Sequence, residues 1–89
     1  MNVNITVAFK VLGKLEPIVS RDGNQTFYKI MVMQSDDCGA IFVTKSIYDG
    51  VEVGQEILLR GLANTVFENG KAFSKLSYKE LLKTKWLFA

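Results

Sequence analysis

The sequence holds no histidine, a single cysteine and a single proline in 89 residues. Without histidine it lacks the commonest general base and the commonest metal ligand. A zinc centre would have to be built from Cys38 and carboxylates, so no metal site is expected. The paired acids Asp36 and Asp37 sit in a turn-like run, where carboxylates ordinarily face water. One cysteine forms no internal disulfide, which fits a reducing, cytoplasmic setting. No apolar run approaches the 18 residues of a membrane-spanning helix. The opening "MNVNITVAFK" lacks the basic-then-apolar order of a signal peptide and reads as a strand. Phosphate-cradling loops, zinc signatures and nucleophile elbows are missing too. The expectation is a protein that binds rather than catalyses, with no cofactor.

What is present is enough for one small folded domain spanning 1–89. Apolar residues make up 48% and charged residues 22%, which excludes a disordered tail. A core of this size gains from a partner subunit. The net charge of +2 is weakly basic, but it is unevenly placed. From Lys71 to Ala89 there are five lysines against one glutamate. Acids gather in "SDD" and in "YDGVEVGQE".

The patterning is that of strands. Val3, Ile5, Val7, Phe9 and Val11 alternate with more polar neighbours, giving a first strand over about 4–14, able to bend near Gly13. Pro17 disfavours an ordinary central strand in "LEPIVS". Asp22-Gly23 marks a turn. A second strand over 26–34 places Tyr28, Ile30 and Val32 on one side and Phe27, Lys29, Met31 and Met33 on the other. "SDDCG" reads as a turn and "AIFVTK" as a third strand. The connection "SIYDGVEVGQE" has room for one helical turn after Ser46 and no long helix, because Gly50 and Gly54 interrupt it. "EILLRGLANTVF" is a fourth strand. "ENG" closes a tight hairpin, and "KAFSKLSYKEL" is a fifth strand. The basic, apolar tail at about 81–89 is open to three readings: helix, strand extension or mobile arm. Trp86, Leu87 and Phe88 in that tail need a cover, which could be the same subunit, a twin or another protein; a twin is favoured.

Five strands with the longer connection between the third and fourth predict an all-β fold. The favoured form is a small closed or half-closed oligonucleotide-binding barrel, the OB-fold. A five-stranded SH3-like barrel and an open meander remain alternatives.

Proteins that grip single strands use cations for phosphates and aromatic faces for bases. Phe27, Lys29 and Met31 share one side of the second strand, and Phe73 and Lys75 one side of the fifth. Lys10 and Arg60 lie on the side opposite the apolar residues of their strands. Arg21 stands beside a turn, where a guanidinium can reach a phosphate. Each residue also has a plain surface or core explanation. Phe42, in a wholly apolar run, has no assignable side. Tyr48 either stacks on a base or caps the barrel bottom, and the cap is favoured. Cys38 has no neighbour in sequence that would activate it.

Two stretches resemble the helix-destabilising gene V proteins of filamentous phages. They are "SRDGNQTFYKI", similar to that family's Ser-Arg-x-Gly-x-x-Tyr run, and "VEVGQEILLRGLANTVFENGKAFSKLSYKELL", similar to its glycine-led strand, hairpin and final strand. The resemblance implies an OB-fold homodimer that coats single-stranded DNA during phage or mobile-element replication, independent of sequence. It implies a phosphate contact for Arg21 and a base contact for Tyr28, or for Phe27 by the alternation above. Phe73, with Phe67 in reserve, is the implied second base platform. Two departures stand out: the "ENG" hairpin reads as short where the family extends an arm, and the tail has no family counterpart. A protein-interaction module and an RNA-binding barrel are the competing functions.

Overall fold

The computed structural model describes residues 2–87. Six strands and one short helix follow in chain order: β1 (Asn2–Lys14), β2 (Ile18–Val19), β3 (Thr26–Gln34), β4 (Asp37–Val43), α1 (Lys45–Gly50), β5 (Gln55–Glu68) and β6 (Lys71–Trp86). All the pairings are antiparallel. The sheet runs β2-β3-β1-β5-β6, and β4 lies on the other edge of β3. β1 is the shared strand: its first part pairs with β5 and its last part with β3, and Lys10 is paired with both Glu56 and Met33. The sheet turns around β1 to enclose the core. β4 and β6 approach but form no ladder among the described residues, so the sheet is not closed by hydrogen bonds.

Alternation decides what goes inside. Phe9 and Val11 of β1, Ile30 and Val32 of β3, and Ile57 and Leu59 of β5 meet in one core. The helix supplies the plug. Thr44 caps it by accepting the Ile47 N–H at 3.3 Å, and Lys45 pairs with Asp49 along its exposed side. Ile47 and Val51 then enter the core with no exposed surface. Gln55 is the buried polar residue beside them, and its Oε1 accepts the Glu52 N–H at 2.9 Å.

One boundary needs correction and other expectations gain detail. The turn before β4 is tighter than "SDDCG" suggested: the strand starts at Asp37, so Cys38 is an exposed strand residue. Pairing with β3 down to Gln34↔Asp37 leaves only Ser35 and Asp36 outside the ladder. A minimal strand, β2, follows Pro17 directly. The bend in β1 is a register break between Val11 and Gly13. The tail is strand: β6 continues to Trp86, which pairs with Gln55. Leu87 N–H donates to the Gly54 carbonyl at 3.2 Å, and Phe88 lies outside the described residues.

The largest correction concerns the last hairpin. Its turn is short, with Asn69 and Gly70 at φ 51° and 75°, the left-handed pair that a two-residue hairpin loop requires. Its strands are long, 14 and 16 residues. Among the described residues β1 reaches only to Asn64, and the segments beyond it, Thr65 to Glu68 and Lys71 to Ser74, are laddered with each other. They project as an arm from a molecule 50 × 32 × 22 Å in extent. Two register breaks in β6, near Lys79 and Leu82, let Tyr78 and Leu81 both pack against the core although they are three residues apart.

Candidate nucleic-acid interface

The outward side of β3 and β4 collects the side chains that alternation left over. Residues directly opposite in an antiparallel pair share a side. Lys29 is opposite Phe42, Met31 opposite Ala40 and Met33 opposite Cys38, and Lys10 of β1 stands opposite Met33. The Phe27 and Phe42 rings meet edge to face at 6.3 Å, with planes 75° apart. The Lys29 ammonium lies 5.2 Å from the Phe42 ring centroid, a cation over an aromatic face. Both rings stay wet: Phe42 is 60% exposed and Phe27 43%. Phe27, Phe42 and Thr44 also form one wall of an open cleft of about 380 Å³, and Leu76, Tyr78 and Lys79 of β6 form the other. This is the seam where the sheet stops short of closing.

Arg21 stands in an ordered loop that leads into β3, the strand that carries Phe27 and Lys29. The Ser20 hydroxyl donates to the Asp22 carboxylate, and the Asn24 N–H donates to the same oxygen at 3.0 Å. The Ser20 Oγ accepts the Gln25 N–H at 3.1 Å, and the Ser20 N–H donates to the Gln25 carbonyl at 2.8 Å. Gly23, at φ 75°, provides the left-handed residue of the turn. The donors aimed at Asp22 hold its carboxyl below the ordinary value of 3.8. The loop joins β2 to β3, and β2 pairs with β3 at Ile18↔Phe27, so Arg21 and Phe27 belong to one hairpin.

Tyr28 does not share this surface. It packs against the core with its ring 5.1 Å from that of Tyr48. The Tyr48 hydroxyl donates to the Leu15 carbonyl at 2.7 Å, and the Lys14 ammonium sits 4.6 Å from the Tyr48 centroid. Tyr48 thus serves as a half-buried cap that ties α1 to the end of β1. Of the adjacent aromatics, Phe27 faces outward.

The remaining candidates lie elsewhere on the outward side. Arg60 is engaged: its Nε donates to Glu80 Oε2 at 2.9 Å, and its Nη1 to Asn4 Oδ1 at 3.4 Å. Phe73 lies on the arm and Lys75 at its base, where they and Val66 line an open hollow of about 340 Å³. The structure therefore groups Lys10, Phe27, Lys29 and Met31 on the outward side of the body, with Arg21 in the loop that leads into β3. Phe73 on the arm and Lys75 at its base form a second cluster.

No protein-family model, curated protein or solved structure matches the chain.

Phe42 is the residue that sequence reasoning left unassigned. The run "AIFV" alternates nothing polar with nothing apolar, so period-two reasoning had no signal there. The usable signal was pairing: once Lys29 is placed outward, its cross-strand neighbour must be outward as well. Tyr78, on the inward side of β6, packs edge-on to Phe9 at 5.6 Å, and burial raises its phenol pKa.

Proposed function

We propose that this chain is a half-closed barrel of the oligonucleotide-binding type that grips single-stranded DNA without reading its sequence. It would coat and protect the strand during replication of a phage or mobile element. The observation that carries the reading is the pair Phe27–Phe42, outward and wet, with Lys29 beside it and the Arg21 loop leading into β3. Five long or medium strands with a helix between β4 and β5 support the fold assignment, since the OB barrel carries its nucleic-acid surface on the corresponding strands.

The proposed mechanism is stacking plus charge. Without nucleic acid the Lys29 ammonium covers one side of the Phe42 ring. A base stacking there takes the place of the ammonium, which swings to a phosphate. Stacking contributes roughly 1–3 kcal/mol per base, and the displaced cation keeps a charged partner. Arg21 holds a further phosphate from its loop. The arm, with Phe73 beside Lys75, is a second platform for another stretch of strand. A homodimer would join two such surfaces and raise affinity through effective concentration. The reading assigns binding and no catalysis.

The test is titration with poly-dT and poly-U, monitored by intrinsic fluorescence. The proposal expects saturable binding of poly-dT that weakens steeply with salt, and Phe27→Ala and Phe42→Ala should each reduce it. Preference for poly-U would redirect the reading to RNA. Unchanged binding in both variants would remove the aromatic pair from the interface.

A further inference from the structure

One side of β1 is open over most of its length. The strand pairs with β5 continuously from Asn2 to Lys10, but with β3 only from Lys10 to Lys14. On its β3 side, the backbone from Asn2 to Phe9 meets no strand among the described residues. A row of unpaired amides and carbonyls is a template for another strand, and proteins normally guard it with lysines, prolines, bulges or brevity. The other edges are faced or guarded: the free edge of β4 approaches β6 across the open seam. β6 carries Lys71, Lys75, Lys79, Lys83 and Lys85 and two register breaks. β2 is two residues long and follows Pro17. Asn2–Phe9 has no charge, no proline and no break in register. Its inward side chains are incompletely covered, Val3 being 48% exposed.

We propose that this edge pairs antiparallel with the same edge of a second copy, about a two-fold axis through Ile5. The inference rests on the homodimer reading above and names its surface. In that register Ile5 faces Ile5, Val3 faces Val7, and Asn4 faces Thr6 of the other copy. Apolar side chains meet on the inward side, and amide meets hydroxyl on the outward side. The strand is self-complementary, as an isologous contact must be, and no like charges are opposed. Centring on Ile5 uses Asn2 to Ala8 and stops before Lys10, where β3 already occupies the edge. Two half-barrels then share one sheet running β6-β5-β1 into β1-β5-β6 of the second copy. The arms, and the outward surfaces of β3 and β4, stay clear of the contact.

The register makes a covalent test possible. Directly opposed residues in antiparallel strands have Cα atoms about 4.5–5.5 Å apart, within the disulfide range. In a Cys38→Ser background, Ile5→Cys should cross-link to a dimer on mild oxidation, while Phe67→Cys on the arm should not. Asn4→Glu combined with Thr6→Glu opposes acids across the axis. Light scattering should then show the mass falling from a dimer to the 10.0 kDa monomer, with far-ultraviolet circular dichroism unchanged. A wild-type protein that stays monomeric at titration concentrations overturns the proposal. So does a dimer that survives the paired acids and cross-links through Phe67→Cys. A dimer that cross-links through Ile5→Cys yet binds no oligonucleotide supports the edge contact and removes the nucleic-acid reading alone.

Discussion

At the residue scale, the role proposed for Arg21 rests on its surroundings. Hydrogen bonds among Ser20, Asp22, Asn24 and Gln25 fix the backbone on either side of it, so little order must be imposed when a phosphate arrives. Arg21→Ala should weaken single-strand binding, leave the fold intact, and reduce the slope of log affinity against log salt by about 0.7. An unchanged slope would place the phosphate contact elsewhere. The loop also has a pH signature. The Asp22 carboxyl is held below its ordinary value because Ser20 and Asn24 donate to the ionised form. Its contribution is therefore complete above the ordinary value and is lost as pH falls through the lowered one. The Asn24 amide resonance should titrate with that lowered midpoint, and a midpoint above 3.8 would contradict the hydrogen-bond assignment. Phe42→Ala should cost about 1–3 kcal/mol of binding, measured by the same titration as Phe27→Ala. The turn beside Arg21 and the outward side of Phe27 were legible in the sequence, from a turn motif and a period of two. Phe42 was not, since an all-apolar strand has no parity to read.

At the scale of elements, the strands of the core were legible and their ends were not. β3 runs over the residues its alternation predicts, and Ile30 and Val32 are buried as that pattern requires. The helical turn after the third predicted strand also appears, short because Gly50 ends it. The hairpin arm was misjudged. Asn69-Gly70 fixes the tightness of a turn, but strand length depends on pairing, and β5 and β6 keep pairing after β1 has ended. The tail was undecidable because the register breaks near Lys79 and Leu82 destroy its alternation. Two predictions belong here. Ile47→Ala, which empties a fully buried site under α1, should lower unfolding free energy by about 2–5 kcal/mol in urea melts, with binding retained wherever the protein is folded. A loss under 1 kcal/mol would mean that the helix does not plug the core. Phe73→Ala on the arm should weaken binding without changing stability, because its ring is exposed; a fall in melting temperature would give it a packing role instead.

For the whole molecule, the architecture separates tasks. The core lies between the curled sheet and α1, the aromatic and cationic surface lies outside β3 and β4, and the arm extends beyond both. No helix among the described residues is long and apolar enough to cross a membrane. The net charge of +2 is too small to hold a polyanion by bulk attraction alone, so the proposed affinity has to come from local pairing of cations with aromatic rings. A titration with single- and double-stranded oligonucleotides of about 20 nucleotides, at two salt concentrations, separates such local pairing from bulk attraction. Stacking on the aromatic pair should give a fluorescence change with the single strand, an affinity that falls steeply between the two salts, and much weaker binding of the duplex, whose stacked bases cannot reach Phe27 and Phe42. No binding of the single strand at low salt, or equal binding of both forms, would contradict it.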